Sequence, residues 1–106
     1  MKELNDYSTT DVQTVTQDGK YILFFSATWC PDCKFIEPFM PEIEADYPDY
    51  QFVHVDRDQF LDLAKELGIM GIPSFVAFDR GQEIGRFVNK DRKTKAEVED
   101  FINSLN

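Results

Sequence analysis

Positive charge is scarce in this chain of 106 residues. Eleven Lys and Arg side chains stand against 20 Asp and Glu, which leaves a formal net charge of −9 at pH 7. Such a chain repels nucleic-acid phosphates and anionic lipid headgroups, so we expect no nucleic-acid partner and no membrane partner. No apolar run reaches the roughly 20 residues that span a bilayer. Residues 1–8 are polar and lack the apolar centre of a secretory signal, which predicts a cytoplasmic protein.

Cysteine is also scarce. The two cysteines, Cys30 and Cys33, are too few for a disulfide framework, and a bridge between them would close a very short loop and add little stability. They could form half of a zinc site, but zinc usually takes four ligands and the chain has only one histidine, His54, so we expect no metal. Inert core thiols are a second alternative, against which the intervening Pro31 and Asp32 argue. A chemical role for the pair is the better interpretation.

Apolar material is plentiful enough for one packed domain over residues 1–106. Hydrophobic residues make up 42% of the chain and aromatic residues 14%, which is typical of a packed globule and not of a disordered chain. Nine phenylalanines fall on core-facing patterns and are expected in the core: Phe24, Phe25, Phe35, Phe39, Phe52, Phe60, Phe75, Phe78 and Phe101.

Apolar periodicity and turn residues divide the chain into alternating strands and helices. Strands are predicted at residues 21–25, 51–55, 75–78 and 82–88, with a possible edge strand in residues 1–5. Helices are predicted from Ser8 or Thr9 to about residue 17, from the cysteine pair to residue 46, over residues 60–67, and after Thr94, where Glu97 completes a capping box. Strands separated by helices need parallel crossovers, whereas the last two strands form an antiparallel hairpin. The predicted fold class is α/β, a central mixed β-sheet of four to five strands flanked by helices on both faces.

The cysteine pair falls where a buried strand gives way to a helix. Sites in open α/β sheets lie at the carboxyl ends of strands, and a helix N-terminus stabilises a thiolate, the reactive form of cysteine. We expect Cys30 to be exposed in the first helical turn and Cys33 to be more shielded, about one turn deeper. Cys30 is then the catalytic nucleophile that attacks a substrate disulfide, and Cys33 resolves the mixed disulfide.

Several motifs together resemble the thioredoxin family. They are Trp29-Cys30-Pro31-Asp32-Cys33 after a buried strand, Pro38 five residues past Cys33, and Gly71-Ile72-Pro73 before a later strand. The resemblance covers essentially the whole chain and implies the thioredoxin fold, with Pro73 as a cis-proline facing the cysteines. It also implies a substrate-binding surface, which we assign to Trp29, Pro31, Met70, Gly71, Ile72 and Pro73.

The resemblance further implies a thiol-disulfide oxidoreductase that reduces disulfides in proteins or small molecules. Its electrons would come from a flavoprotein thioredoxin reductase, and no organic cofactor is needed because the dithiol carries both electrons. A monomer is expected.

Three departures from the family pattern bear on mechanism. Asp32 replaces the usual residue between the cysteines: its charge disfavours a thiolate, or it accepts the proton of Cys33, or it is simply a good first-turn residue. Phe24 stands where the family has a buried Asp, and the accompanying buried Lys is matched to Phe52. Asn89 stands where the family commonly has Gly, which would narrow the substrate channel. Phe24 and Phe52 motivate an alternative, a redox-weak binding or scaffold module with a thioredoxin fold.

Overall fold

The computed structural model describes residues 1–105, which form five strands and five α-helices. The strands are β1 (Lys2–Glu3), β2 (Lys20–Ser26), β3 (Tyr50–Asp56), β4 (Ser74–Asp79) and β5 (Gln82–Phe87). The helices are α1 (Val12–Val15), α2 (Pro31–Ile36), α3 (Met40–Asp46), α4 (Leu61–Glu66) and α5 (Lys95–Asn103). Two 3₁₀ turns lie at Leu4–Asp6 and Glu37–Phe39.

The strands form one mixed sheet in the order β1-β3-β2-β4-β5. β3 is parallel to both β1 and β2, whereas β4 is antiparallel to β2 and to β5. This confirms the predicted mixed sheet, its terminal hairpin and its N-terminal edge strand. The site can therefore form where β2 ends beside the start of β4.

Alternate residues of the central strand, β2, belong to two separate hydrophobic cores. Leu23 and Phe25 pack in one cluster with side chains from α1 and α4. Ile22 and Phe24 pack in another with side chains from α2, α3 and α5. Because successive strand residues point to opposite faces, the uninterrupted apolar run of β2 supplies both layers. The helices on both faces match the predicted architecture.

The helices differ from prediction at two places. α1 starts after Asp11, whose Oδ2 accepts from the Thr14 N–H at 3.3 Å, and not at Ser8 or Thr9. The long helix predicted after the cysteines is broken into α2, a 3₁₀ turn and α3. Pro38 lies in the first turn of the 3₁₀ segment, where its missing N–H costs little but interrupts the α-helical ladder.

The predicted aromatic core is correct for the strands and wrong for part of the helical segment. Phe24, Phe25, Phe52, Phe75 and Phe78 in the strands are buried as predicted, but Phe35 and Phe39 each keep 37% of their surface exposed. Both lie on the helical segment that covers one sheet face, where helical spacing alone did not separate the inward residues from those at the margin. Ile36, Met40 and Ile43 provide the buried contacts there.

Candidate active site

The reactive pair lies at the first turn of α2. Cys30 is the N-cap residue, with extended backbone (φ −87°, ψ 110°), and Pro31 takes the first helical turn, where it leaves no hydrogen bond unmade. The Cys30 Sγ accepts a hydrogen bond from the Cys33 N–H at 3.1 Å. Sulfur therefore occupies the capping position that an oxygen side chain usually fills.

Cys30 and Cys33 are joined as a disulfide, with their Cα atoms 5.2 Å apart. Cys33 is fully buried, and Cys30 is only 4% exposed. The expectation of an exposed Cys30 is wrong for this state, because its sulfur lies 4.0 Å from the Ile72 carbonyl oxygen within the buried cluster. The expected order of shielding, with Cys33 the deeper thiol, agrees with these exposures.

The segment from Met70 to Pro73 approaches the disulfide at Ile72, whose carbonyl oxygen lies 4.0 Å from the Cys30 sulfur. The Ile72–Pro73 peptide bond is cis, which confirms the isomer that the family resemblance implied. Gly71 permits a close approach of two chain segments, because a Cβ atom there would lie 2.5 Å from the backbone nitrogen of Lys90. Met70 is 87% exposed, so this loop offers an open apolar side chain beside the cysteines.

Trp29 lies beside Cys30 and is held at the surface by polar contacts. Its Nε1–H donates to Asp58 Oδ2 at 2.7 Å, and the Arg57 guanidinium lies 5.3 Å from the ring centroid. The side chain nevertheless remains 57% exposed. Asp58 and Arg57 join the site because the strand pairing brings the end of β3 beside the end of β2.

Asp32 carries an ion pair that the sequence did not reveal. The Arg92 Nε–H donates to Asp32 Oδ1 at 3.0 Å, across 60 positions of sequence. The Arg92 guanidinium also lies 4.4 Å from the centroid of the Phe35 ring. Asp32 is therefore not a free first-turn carboxylate, and a charged partner belongs to the site.

Beneath the site, Phe24 and Phe52 are not cross-strand neighbours. The β2–β3 register pairs Phe24 with His54, whereas Phe52 lies opposite Ile22. Phe24 itself is buried and stacks on Phe75 at 4.9 Å between ring centroids. The buried carboxylate position thus holds an aromatic ring, and the residue directly across from it is an imidazole.

His54 makes polar contacts through both of its ring nitrogens. One ring nitrogen, Nε2, is hydrogen-bonded to Ser26 Oγ at 2.5 Å, and the other, Nδ1, contacts Glu3 Oε1 at 2.7 Å. The ring is therefore fixed between β1 and β2. No sequence motif pointed to this arrangement, because the three residues meet only through the strand register.

Within residues 1–105, no three His, Cys, Asp or Glu side chains are grouped so that they could hold a metal ion. In the same part of the chain, no helix has the length and apolar character needed to cross a membrane.

Comparison with known proteins agrees with this geometry. The sequence model of the family described as Thioredoxin matches residues 4–104. The thioredoxin of Callithrix jacchus is 37% identical over 87 residues, which cover 80% of this chain and 82% of that protein. The mitochondrial thioredoxin-2 of Schizosaccharomyces pombe is 32% identical over 94 residues, covering 89% of this chain and 68% of the relative.

Solved structures give the same picture. The crystal structure of Schistosoma mansoni thioredoxin matches with a TM-score of 0.77 at 29% identity, over 100% of this chain and 93% of the other. The family match, the shared fold and a cysteine pair able to form a disulfide lead to one conclusion. The chain belongs to the thioredoxin family and is a thiol-disulfide oxidoreductase.

Proposed function

We propose that the protein reduces disulfides with Cys30 as the nucleophile. The observation that carries the proposal is the position of the Cys30 sulfur at the N-cap of α2, accepting from the Cys33 N–H. A helix N-terminus favours negative charge, so this N–H group and the helix dipole support a thiolate on Cys30. The thiolate attacks one sulfur of the substrate disulfide, forms a mixed disulfide and releases the first substrate thiolate.

Cys33 completes the reaction in this proposal. Its thiolate attacks the Cys30 sulfur of the mixed disulfide, closes the Cys30–Cys33 bond and releases the second substrate thiolate. Two electrons pass to the substrate, and the oxidised pair described above is the product. Complete burial of Cys33 supports its assignment as the resolving thiol, since a buried thiol is shielded from disulfides in solution but lies next to the Cys30 sulfur.

We assign Asp32 to the resolving step, as the acceptor of the Cys33 proton. Phe24 occupies the buried carboxylate position, so a base for Cys33 must come from elsewhere. The ion pair to Arg92 uses Asp32 Oδ1, and among the described residues Oδ2 has no hydrogen-bond donor. This leaves one carboxylate oxygen able to take a proton.

Substrate would bind along the surface formed by Trp29, Pro31 and the loop from Met70 to Pro73, which includes Gly71 and Ile72. The exposed side chains of Trp29 and Met70 support apolar contacts with a substrate chain. The Ile72 carbonyl, 4.0 Å from the Cys30 sulfur, lies where an extended backbone could be bonded beside the disulfide.

The family implies disulfide substrates and a reductase partner in general. We further propose that a flavoprotein thioredoxin reductase supplies the electrons and that the chain acts as a monomeric single domain. A cytoplasmic location also stays a prediction, since relatives include mitochondrial thioredoxins of Schizosaccharomyces pombe and Saccharomyces cerevisiae.

The reduction potential of the Cys30–Cys33 couple tests this proposal. The protein is equilibrated with dithiothreitol buffers, and thiols are trapped and counted by mass spectrometry. A potential near or below about −250 mV supports a reductase, whereas one above about −200 mV indicates an oxidase or isomerase. A pair that does not cycle reversibly would instead favour the scaffold alternative that Phe24 motivates.

A further inference from the structure

A loop rich in positive charge lies beside the redox helix. We call residues 89–93, which follow β5, the basic loop; it carries Lys90, Arg92 and Lys93, three of the 11 positive charges of the chain. The protein as a whole carries a net charge of −9, so a cluster of three positive side chains in five residues stands out.

The shape of the basic loop is set from within. Lys93 is only 1% exposed, and its Nζ donates to Asn89 Oδ1 at 2.9 Å, to Asn89 O at 3.3 Å and to Asp91 O at 2.8 Å. These bonds use the full donor capacity of the ammonium group, although burial still lowers the pKa of Lys93. The Asn89 side chain is engaged inside its own loop by the same contacts.

The basic loop also touches both parts of the active site. Its backbone lies against Gly71, where a Cβ atom would come within 2.5 Å of Lys90 N. On its other side, Arg92 reaches α2. The loop thus joins the cis-proline segment to the cysteine helix, and its position is fixed relative to both.

Arg92 contacts α2 at two points on one face. Asp32 and Phe35 are three residues apart, so they are neighbours on the helix surface. The Arg92 Nε–H bonds the carboxylate at 3.0 Å, and the guanidinium lies over the Phe35 ring at 4.4 Å. The side chains of Arg92 and Asp32 are 55% and 37% exposed, so their pair contributes little to stability. Its consequence is electrostatic, because Asp32 stands between the two cysteines in the chain and Arg92 brings a positive charge to that carboxylate.

We propose that Arg92 is a positioning residue for the thiol chemistry, whose guanidinium holds the Asp32 carboxylate and offsets the charge that would oppose a Cys30 thiolate. An uncompensated carboxylate beside a thiol disfavours its ionised form, and a neighbouring cation reverses that effect. Arg92 therefore stabilises the reduced pair and makes the couple less strongly reducing than Asp32 alone would make it. The inference rests on the proposed function, since it takes Cys30 as the nucleophile.

The test is the pH dependence of Cys30 alkylation in the reduced protein, followed by mass spectrometry so that the modified cysteine is identified. Arg92→Gln should raise the pKa of Cys30 by about half a unit, the size expected for one charge acting through a partly solvated medium. The same variant should favour the disulfide about threefold at a pH above that pKa, which corresponds to about −15 mV in potential. Arg80→Gln is the matched control, because Arg80 lies in the β4–β5 turn and pairs only with Asp79 among the described residues.

A second background separates positioning from a general loss of charge. In the Asp32→Asn protein, Arg92→Gln should shift the Cys30 pKa by less than half as much, because the carboxylate that holds the exposed guanidinium against α2 is then absent. Arg92→Lys should recover most of the original pKa, which a merely structural role would not produce.

The proposal is overturned if Arg92→Gln shifts the pKa no more than Arg80→Gln, or shifts it equally with Asp32 and with Asn at that position. Failure of the proposed function looks different: Cys30→Ser would still reduce disulfides, or alkylation at low pH would fall on Cys33.

Discussion

Helices α2 and α5 begin with the same hydrogen bond and serve different purposes. In α2 the Cys30 Sγ accepts from the Cys33 N–H at 3.1 Å, and in α5 the Thr94 Oγ1 accepts from the Glu97 N–H at 3.1 Å. In both cases the first residue uses its side chain to satisfy a backbone donor that the helix leaves free. The local geometry of the two caps is therefore alike.

The two helices differ in the bond that the side chain of the third helical residue makes to the cap residue. Glu97 Oε1 accepts from the Thr94 N–H at 3.0 Å, which completes a capping box, and contacts with Thr94 lower the pKa of that carboxyl. In α2 the third helical residue, Cys33, instead forms a disulfide bond with Cys30, and the Cys30 N–H donates to the Ala27 carbonyl at 3.3 Å. The same helix start thus stabilises the fold where its atoms are oxygen and prepares chemistry where they are sulfur.

The largest expected effect comes from replacing the sulfur cap by an oxygen cap. Cys30→Ser should lower the rate of disulfide reduction at least about a thousandfold, since the nucleophile is removed. Serine is a good N-cap, so urea unfolding should show the stability of the reduced wild-type protein retained. A variant that remains active would show that Cys30 is not the attacking thiol.

The next largest effect is expected at Asp32 in the first turn of α2, and not at Glu97 in the first turn of α5. Asp32→Asn should slow release of the second substrate thiol about tenfold in single-turnover experiments between pH 6 and 8, because a proton acceptor is lost. Glu97→Gln should leave these rates unchanged, since Glu97 lies in the cap of α5. Equal rates in wild-type and Asp32→Asn protein would remove Asp32 from the mechanism.

A smaller effect is expected at the oxygen cap. Thr94→Ala should lower the free energy of unfolding by about 1 kcal/mol, because one backbone donor loses its partner. For a domain of this size the melting temperature should fall by about 4 °C. Disulfide reduction by the folded variant serves as the control and should match that of the wild type.

The smallest effect is the acid dependence of that cap. The pKa of Glu97 is lowered in the folded protein, so its contribution is present above its ordinary pKa and is lost as pH falls through the folded value. The stability difference between wild type and Glu97→Gln should therefore shrink from pH 7 to pH 3 in urea titrations, because the wild-type carboxylate loses its charge over this range. A difference that is constant over this range would mean that the charge of Glu97 contributes nothing to the capping box.

The sequence predicted well what depends on neighbours along the chain. The capping box of Thr94 and Glu97, the buried run of β2 and the cysteine position at a helix start are all local patterns, and the structure agrees with each. The prediction was wrong at the start of α1, where several neighbouring residues can serve as the helix cap. Ser8, Thr9 and Asp11 are all capable caps, and the tertiary packing of Val12 and Val15 selects the last.

The partners of the site residues were beyond the sequence for a geometric reason. Arg92 meets Asp32 and Phe35 only because the basic loop folds back against α2. His54 faces Phe24 through the β2–β3 register, in which Phe52 lies opposite Ile22. The hydrophobic pattern alone could not determine that register, because a shift of two residues keeps each side chain on the same sheet face.

By itself the sequence determined the fold class and the chemical pair, because periodicity, turn residues and the spacing of two cysteines are properties of short segments. Only the tertiary structure decided the electrostatic setting of that pair: the carboxylate held by Arg92, the ring stacked at Phe24 and the imidazole fixed between Ser26 and Glu3. Charges and hydrogen bonds act through a few ångströms of space, and residues 60 positions apart can come that close only through the folded chain.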